Sequence, residues 1–508
     1  MFWFSCAVLA ASFVFEGPIS EAIPELMSLP LLALALPRAM PFLKSFPSAL
    51  ALVVGVIALP FLQLIPLPPE LWKALPGRDF VAEILTTAQA PISWRPISLI
   101  PSETWRALLS LLPAVAIFLA VLSLGPDARR RLLLVALGIG VASALLGMLQ
   151  VLGGGPYFYT FTNAGTAVGF FANHNHLAAL EYALFPLGAA ALAETQTPSP
   201  AILAAILSAV ASALLFALIL TLSRSAVILG GLSAAATLAF VLTPELTVLG
   251  RRRTLALMGT FALALLPIAI GLGLLHILSR FEKQDLGEDL RWRIAANTLA
   301  GLKSYFPFGA GLGTFSSVYP LHEAAADLVP EFVNRAHNDL LETLLEGGAA
   351  SLLLLLGFIA WLGASTYRAF VREDAVKGRQ ARAGVIAMWL LLIHSLWDYP
   401  LRTMALETLF CLCAALQFEA PPPRSFRFRR GGQGEADQIT HNRRGHFPAA
   451  KHASRGSLKF LHLEAESKIT TESLWDFTYC PRRTHDTLVA RTGDLGYVVI
   501  AREQGLHS

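Results

Sequence analysis

Charged residues are scarce in this sequence of 508 residues. Lysine, arginine, aspartate and glutamate together make up 15% of the chain, whereas hydrophobic residues make up 55% and the mean hydropathy is +0.58. A soluble fold of this length would need charged faces on its helices and strands, and the sequence before residue 420 lacks them. The composition therefore argues against an ordinary soluble domain and favours a membrane protein.

Signals of several other functional classes are also missing. The four cysteines, Cys6, Cys411, Cys413 and Cys480, lie in apolar runs or in the tail, so we expect no disulfide framework. The sequence contains no Walker, zinc-protease, nucleophile-elbow or haem motif, which argues against ATP-driven pumps and most hydrolases. No basic patch is interleaved with aromatic residues, so we expect no nucleic-acid partner. The N-terminus lacks a basic n-region and an A-x-A site, and we expect its apolar run to remain a span.

The sequence does contain a series of apolar runs long enough to cross a bilayer. They predict an all-α integral membrane protein with about twelve transmembrane helices. The predicted spans lie near residues 2–16, 22–37, 48–66, 105–124, 131–152, 168–193, 201–222, 225–243, 254–278, 348–366, 384–398 and 403–418. Basic residues gather in four loops, which this topology places together in the cytoplasm. These loops are 38–44, 129–131, 251–253 and 368–382. The large polar loop 279–347, before the tenth span, then lies outside the cytoplasm.

The chain divides by composition into two parts. Residues 1–420 read as one polytopic membrane domain, and residues 421–508 begin with the proline- and arginine-rich stretch PPPRSFRFRRGGQGE. The second part is polar and weakly patterned, so we predict a disordered cytoplasmic tail. Its short alternating run GYVVIA could form a strand, for which the sequence indicates no partner.

The most informative polar segment is RAHNDLLETLLEGG, which begins at Arg335 and runs into an apolar span. Helical spacing places Asn338, Asp339, Glu342 and Glu346 on one side of a helix. Ionisable groups at a membrane boundary are costly, and they often mark function. His337 suits proton transfer or a hydrogen bond to a phosphate or sugar hydroxyl. The alternative is a carboxylate stripe that packs against other loops.

Arginines mark two further segments outside the cytoplasm. The turn TLSRSA places Arg224 between two apolar spans, where it either snorkels to the interface or pairs with an anion. The run DLRWRIAANTL carries Arg291 and Arg293, and the spacing from Leu290 to Leu302 predicts an amphipathic helix. A solvated charged loop is the alternative for these arginines.

Two more polar clusters lie at the ends of predicted spans. ANHNHLAALEYALFPL starts one span with Asn173 and Asn175, for which helix capping and sugar hydrogen bonding are favoured over a metal site. HSLWDYPLR ends another span and places His394 and Asp398 one helical turn apart, either as a site or as an interfacial anchor. The glycine-rich FGAGLGTF lacks the strand and the Lys-Ser/Thr of a phosphate-binding loop, so it predicts a tight turn.

In this order, the segments resemble those of the O-antigen ligase and polymerase superfamily. RAHNDLLETLLEGG is similar to its signature of a His-Asn pair followed by spaced Leu and Glu and then Gly. DLRWRIAANTLAGLKSYFPFGAGLGTF is similar to its Arg, helix and Pro-x-x-Gly-x-Gly turn, and TLSRSA to its Ser-Arg-Ser/Gly turn. FFANHNHLAALEYALFPL resembles its Phe-x-Asn-x-Asn span start. ISLIPSETWRALLSLL resembles a feature of its polysaccharide-polymerase branch. The resemblance covers residues 60–415 and none of the tail.

The resemblance implies a multi-pass glycosyltransferase of the GT-C type in the bacterial inner (cytoplasmic) membrane, with its active site facing the periplasm. Its donor would be an undecaprenyl-diphosphate-linked glycan, and its acceptor lipid A-core or another lipid-linked glycan, in O-antigen or exopolysaccharide biosynthesis. The resemblance implies no cofactor, metal ion or nucleotide sugar, and its partners would be these substrates and membrane lipids.

The resemblance also implies roles for single residues. Arg224 and Arg291 match the family's essential arginines and would hold the diphosphate, with Arg293 as the alternative to Arg291. His337 matches the essential histidine and would activate the acceptor hydroxyl or orient the leaving diphosphate. We expect substrate binding from a wider set of polar residues. This set is Arg293, Arg335, Asn338, Glu342, Asn173, Asn175, His394 and Asp398.

Two other function classes fit the composition. A secondary transporter or flippase should show polar breaks within its spans and two symmetric halves. The spans here are apolar and the polar groups gather in outer loops, which favours the enzyme. A structural membrane anchor would leave the arginine and histidine cluster unexplained. The choice between ligase and polymerase stays open, although the feature shared with the polymerase branch favours the polymerase.

Overall fold

The computed structural model describes most of the first 421 residues and two short strands near the end of the chain. The described ranges are 1–14, 21–159, 161–195, 199–242, 285–325, 332–372, 378–421, 488–490 and 498–500. The chain divides into two compact units, Met1–Arg427 and Phe428–Ser508. All described helices lie in the first unit.

Helices make up nearly all of the described part of the first unit. In chain order, the α-helices are α1 (Phe2–Val14), α2 (Ala22–Leu43), α3 (Pro47–Gln63), α4 (Pro69–Lys73), α5 (Asp79–Thr87), α6 (Pro101–Leu122), α7 (Pro126–Val151), α8 (His174–Ala193), α9 (Pro200–Leu220), α10 (Arg224–Ala236), α11 (Asp285–Tyr305), α12 (Phe315–Val318), α13 (Asp339–Tyr367), α14 (Arg379–His394) and α15 (Met404–Ala415). Single π-helical turns continue α10 at Thr237–Val241 and α13 at Arg368–Arg372. Two 3₁₀ turns lie at Tyr319–Leu321 and Pro400–Arg402.

Seven of the described helices are long and apolar enough to cross a membrane. They are Ala22–Leu43, Pro101–Leu122, Pro126–Val151, His174–Ala193, Ile202–Leu220, Arg224–Val241 and Asp339–Arg372. The prediction of an all-α integral membrane protein is thereby confirmed. The total of about twelve spans stays a prediction. The predicted span 254–278 lies outside the described residues.

Helix α8 forms the centre of the bundle. In its most apolar stretch, 89% of the residues are buried. The helix packs against α7, α9, α10 and α14. Glycines bring α7 and α8 into close contact. A Cβ atom on Gly188 would lie 2.7 Å from Cδ1 of Leu137, and one on Gly140 would lie 2.0 Å from Cδ1 of Leu184. Close approach at small residues is a common way for membrane helices to gain packing.

Several helices begin at a polar residue whose side chain caps the first turn. These caps are Asn173 for α8, Ser199 for α9, Ser223 for α10, Asn338 for α13 and Thr403 for α15. Each side-chain oxygen accepts a backbone N–H that has no partner within the helix. The caps explain why these spans start where they do, directly after a polar turn.

The glycine-rich segment FGAGLGTF forms the predicted turn and packs against the polar end of α13. Gly309 has a φ of +78°, and a Cβ atom there would lie 2.2 Å from the carbonyl oxygen of Glu346. Only glycine permits both this conformation and this close approach. Helix α13 itself is interrupted at Gly348, whose φ is +60° and ψ −143°. The interruption separates the polar start of α13 from its apolar span.

A buried arginine ties the segment between α3 and α6 to the glycine-rich turn. In this segment, β1 (Pro66–Leu67) pairs antiparallel with β2 (Arg95–Pro96). Arg78 is fully buried, and its guanidinium donates to the carbonyl oxygens of Ile97 and Gly309. A buried guanidinium without hydrogen-bond acceptors would cost much free energy. The two carbonyl contacts of Arg78 therefore hold the segment against the polar end of the bundle.

The second unit contains two described strands. β3 (Leu488–Ala490) pairs antiparallel with β4 (Val498–Ile500). The run GYVVIA contains β4, so its partner, which the sequence did not indicate, is β3. The other residues of the predicted tail, from 422 onward, lie outside the described residues, and their disorder stays a prediction.

Candidate functional site

The segment between α14 and α15 is where the polar ends of several helices meet. Trp397 Nε1 donates to Ser225 Oγ at the start of α10, at 2.8 Å. The backbone N–H of Asp339, the first residue of α13, donates to the carbonyl oxygen of Ser395 at 3.0 Å. Asn175 at the start of α8 contacts Asp398. The N-termini of α8, α10 and α13 therefore lie around one short segment, together with the C-terminus of α14.

Asp398 is fully buried at the centre of this cluster. Its carboxylate accepts from Asn175 Nδ2 at 2.5 Å and from the Tyr399 backbone N–H at 2.9 Å. His337 Nδ1 lies 3.6 Å from Oδ1, and His394 Nε2 lies 3.8 Å from Oδ2. Burial by itself raises the pKa of Asp398, but the facing imidazoles of His337 and His394 outweigh burial and hold that pKa well below its ordinary value. The carboxylate is therefore ionised at neutral pH.

His337 is the member of the cluster that stays open to the surroundings, with 27% of its side chain exposed. Its φ of +50° is in the left-handed region, which non-glycine residues seldom adopt. Both polar atoms of the neighbouring Asn338 side chain make hydrogen bonds that hold this conformation. Its Oδ1 caps the Leu341 N–H at 2.9 Å, and its Nδ2 donates to the carbonyl oxygen of Leu396 at 2.8 Å. Strained backbone of this kind is retained where the surroundings fix it, and it is common at functional sites.

Tyr399 packs between two histidines of the cluster. Its ring centroid lies 4.9 Å from that of His176 and 5.0 Å from that of His337, both in edge-to-face arrangement. Burial and the neighbouring Asp398 carboxylate raise the pKa of the Tyr399 phenol to about 12. The phenol therefore stays protonated, and its oxygen lies 3.5 Å from Asn173 Nδ2. The ring limits the directions in which the His337 imidazole can point.

The carboxylates at the start of α13 face an arginine from the same segment. Arg402 NH1 lies 2.8 Å from Glu346 Oε2 and 3.6 Å from Glu342 Oε1, and Arg402 Nε lies 3.5 Å from Asp339 Oδ1. Glu342 also accepts from Arg335 NH1 at 2.9 Å. These three carboxylates outweigh burial and raise the pKa of Arg402 above its ordinary value. The network locks α13 to the segment after α14, and thereby sets His337 beside Asp398.

The predicted arginines approach the same cluster from two other helices. Arg224 is the first residue of α10, next to the Ser225 that contacts Trp397. Arg291 lies half-buried on α11, and its charge acts on His394. Arg293, two residues further along α11, is exposed. The predicted amphipathic helix from Leu290 to Leu302 falls within α11, which packs against α13.

The structure brings most of the predicted site residues into one region, at different depths. The half-exposed ones include His337, Asn338, Asn173 and Arg335, whereas Asn175, Glu342, His394 and Asp398 are buried. Sequence reasoning missed the role of Arg402, although three carboxylates at helical spacing call for a cation. It also gave no role in the site to Tyr399. Tyr399 follows Asp398 directly and Arg402 lies four residues after it, and that proximity in the chain was the available signal.

Comparison with known proteins bears on this region. Residues 207–356 match the family model described as O-Antigen ligase. The resemblance to the O-antigen ligase and polymerase superfamily is confirmed. The match covers under a third of the chain, and within it lie Arg224, Arg291 and His337. The O-antigen ligase match ends before Asp398, so the carboxylate that faces His337 lies outside the matched residues. A search of curated proteins gave no match.

The family match and the fold agree on a general function. The family supports an enzyme of the O-antigen ligase or polymerase type, and the apolar helices make it a multi-pass membrane protein. The described residues contain no cluster of three or more His, Cys, Asp or Glu side chains that could hold a metal ion.

Proposed function

We propose that the chain is a glycosyltransferase that moves a glycan from an undecaprenyl-diphosphate carrier to lipid A-core or to another lipid-linked glycan. We place the reaction at the periplasmic face of the bacterial inner membrane, in O-antigen or exopolysaccharide biosynthesis. The observation that carries the proposal is the pair formed by the half-exposed His337 and the buried, ionised Asp398, 3.6 Å apart at the end of the helix bundle. The proposal needs no metal ion and no nucleotide sugar.

His337 has the surroundings of a general base. Asp398 Oδ1 lies 3.6 Å from Nδ1, beyond hydrogen-bond distance, and the negative charge of the carboxylate favours the tautomer with the proton on Nδ1 and a lone pair on Nε2. Nε2 takes the proton of the acceptor hydroxyl as that oxygen bonds to the anomeric carbon of the donor glycan. The bond between this carbon and the diphosphate oxygen breaks, and its electron pair leaves with the diphosphate. Asp398 then stabilises the imidazolium.

The leaving diphosphate needs positive charge more than it needs a proton. Arg224 and Arg291 supply guanidinium groups, which bind phosphate oxygens bidentately. Arg224 stands at the N-terminus of α10, and neither α8 nor α10 has an acidic residue in its first turn. Helix N-termini favour anions, so both helix ends add to the charge of the arginines. We propose that the diphosphate lies between α10 and α11.

The other residues predicted to bind substrate differ in how far their side chains are exposed, and we assign their roles accordingly. Asn173 and Arg335 are half-exposed and suit hydrogen bonds to sugar hydroxyls, and Arg293 suits an outer contact with the donor. Asn338 and Glu342 have their polar atoms occupied by protein groups, so we propose that they hold the loop of His337 in place. Asn175, His394 and Asp398 are buried, and we propose that they act through His337.

The experiment uses purified protein, a synthetic undecaprenyl-diphosphate oligosaccharide and two separate acceptors, lipid A-core and a second carrier-linked oligosaccharide. His337→Asn is the test variant, because asparagine tolerates the left-handed backbone that His337 adopts. We expect this variant to fold like the wild type and to lose transfer by 100-fold or more, roughly the size of a general-base contribution. His322→Asn is the matched control. His322 is also half-exposed but pairs with Tyr305, and its loss should leave transfer unchanged.

The products separate the remaining alternatives. Glycan on lipid A-core would identify a ligase, and longer chains on the carrier would identify a polymerase. Absence of both products with wild-type protein would contradict the proposal, and movement of intact donor across vesicle membranes would then indicate the transporter or flippase. Equal activity of His337→Asn and the wild type would refute the assignment of the base.

A further inference from the structure

A chain of buried polar groups continues from Asp398 into the centre of the helix bundle. His394 Nε2 lies 3.8 Å from Asp398 Oδ2, and His394 Nδ1 lies 2.8 Å from the hydroxyl of Tyr182. Tyr182 lies on α8, the central helix, and His394 is the last residue of α14. Both side chains are fully buried. Together with His337, they form a row of four polar side chains that starts at the half-exposed imidazole and ends among apolar residues.

The negative charge of Asp398 favours one arrangement of protons along this row. At 3.8 Å, His394 Nε2 is beyond hydrogen-bond distance from the carboxylate, but the ionised carboxylate attracts an N–H and repels a lone pair, which favours the proton on Nε2. His394 Nδ1 is then an acceptor, and the Tyr182 hydroxyl donates to it. The tyrosine hydroxyl therefore selects the tautomer of His394 that suits Asp398. Asp398 Oδ2 faces His394, which leaves Oδ1 for Nδ1 of His337.

Packing alone does not account for these two residues. Burying a hydroxyl and an imidazole in an apolar bundle costs free energy unless both are hydrogen-bonded. The backbone of Tyr182 is fixed separately, since its carbonyl oxygen accepts from Ser233 Oγ of α10 at 2.6 Å. The hydroxyl is not needed to hold α8 against α10. Its described polar contact is with His394, and that contact points toward Asp398.

We propose that Tyr182 and His394 are positioning residues for the transfer reaction, because they orient Asp398 so that it holds His337 with Nε2 free to act as the base. The inference rests on the proposed function. Neither residue touches the substrate. Their effect reaches the reaction through Asp398, so it appears in turnover and leaves substrate affinity unchanged.

The test compares two variants that replace His394 with an amide side chain, His394→Gln and His394→Asn. In His394→Gln the amide nitrogen can lie near the former Nε2 and donate to Asp398. In His394→Asn the shorter side chain places its amide near the former Nδ1, within reach of Tyr182 and short of Asp398. We expect His394→Gln to keep most of the kcat and His394→Asn to lose it by at least tenfold, with KM unchanged in both. Tyr182→Phe should lower kcat about fivefold, the effect of one hydrogen bond.

Tyr305→Phe is the matched control for Tyr182→Phe. Tyr305 is also buried, at 3% exposure, and its hydroxyl lies 3.1 Å from His322 Nε2, so the same type of bond is removed away from the cluster. We expect wild-type kcat from this control. Equal kcat in the Gln and Asn variants at position 394, or equal kcat in the two tyrosine variants, would overturn the inference. If His394→Asn does not fold, the comparison of the two tyrosine variants decides.

Two failures remain distinguishable. Wild-type protein without transfer would overturn the proposed function, and this inference with it. Wild-type transfer that His337→Asn abolishes, combined with full kcat in Tyr182→Phe and His394→Asn, would overturn only the positioning role.

Discussion

Arg402 donates a hydrogen bond of 2.8 Å to Glu346, across the boundary between the segment after α14 and the start of α13. The side chain of Arg402 is 17% exposed, and that of Glu346 is fully buried. The pair therefore lies in a low-dielectric region, where an unpaired charge is far more costly than at the surface. Since α13 begins two residues after His337, the contact determines where the proposed base is held.

The first prediction concerns Arg402. In Arg402→Met, the buried carboxylates of Asp339, Glu342 and Glu346 lose the cation they share. We expect the free energy of unfolding to fall by about 3–5 kcal/mol, as when one partner of a buried ion pair is removed. Thermal unfolding of the purified protein in detergent measures this loss. Activity should fall as well, because the loop of His337 loses its support.

A double variant and a surface variant serve as controls. Arg402→Met combined with Glu346→Gln removes one of the uncompensated charges and should recover part of the loss. Arg106 pairs with Glu103 at 3.1 Å, and its side chain is 51% exposed. Arg106→Met should cost below about 1 kcal/mol. An equal effect of Arg402→Met and Arg106→Met would show that the buried network contributes little.

The sequence predicted which polar residues lie close together, because its signals are local. Apolar runs indicate transmembrane helices, and the basic loops indicate which helix ends lie on the same side of the membrane. Asn173, Arg224, His337 and Asp398 all lie at such ends, so their proximity could be expected before the structure was known. The side that faces the periplasm stays a prediction.

The contacts within the site could not be predicted, because they join residues far apart in the chain. Gln63 donates to the carbonyl oxygen of Glu346, 283 residues away, and Tyr182 contacts His394, 212 residues away. Both polar side chains lie in apolar runs, where the hydrophobic pattern gives no sign of a partner. The same limit applies to Arg402, which lies 56 residues from Glu346. Pairing of this kind depends on how the helices pack.

The second prediction concerns pH. The pKa of Asp398 is lowered in the folded protein from an ordinary value of 3.8. A lowered folded pKa means that the carboxylate stabilises the fold fully above the unfolded pKa, and that this contribution is lost as pH falls toward the folded pKa. The difference in thermal stability between the wild type and Asp398→Asn should therefore shrink as pH falls below about pH 4.

Comparison of the two proteins cancels the other carboxylates, which are present in both. Asp127 provides a control for the approach. Its side chain is 86% exposed and pairs with Arg130 at 3.5 Å, so Asp127→Asn should differ little from the wild type across the same pH range. A stability difference for Asp398→Asn that stays constant at low pH would mean that the contacts with His337 and His394 do not favour the ionised form.

The third prediction concerns the glycine-rich turn. Gly309→Ala places a Cβ atom 2.2 Å from the Glu346 carbonyl oxygen, in a backbone conformation that alanine disfavours. We expect a loss of stability of about 1–3 kcal/mol from the conformation alone, and more from the clash. Gly138 in α7 is the matched control, because a Cβ atom there meets no atom within 4 Å. Similar melting temperatures for the two alanine variants would show that close packing of the turn against α13 is not needed for stability.

The fourth prediction separates the two arginines of α11. Arg291 is half-buried and acts on His394, whereas Arg293 is exposed. If Arg291 stabilises the leaving diphosphate, Arg291→Ala should lower kcat by about 100-fold or more, the effect of removing one group that stabilises developing negative charge. Arg293→Ala should change kcat by no more than a few-fold. Single-turnover assays with the carrier-linked donor measure both.

Lysine at position 291 tests what the guanidinium itself contributes. It keeps the charge but loses the planar pair of donors, so Arg291→Lys should fall between the wild type and Arg291→Ala. Arg224→Lys should behave in the same way, because Arg224 stands at a helix N-terminus that favours the same anion. If Arg293→Ala instead gave the large loss and Arg291→Ala the small one, the diphosphate would have to bind on the exposed face of α11, away from His394. That result would separate the proposed base from the leaving group, and transfer by His337 would no longer fit the geometry.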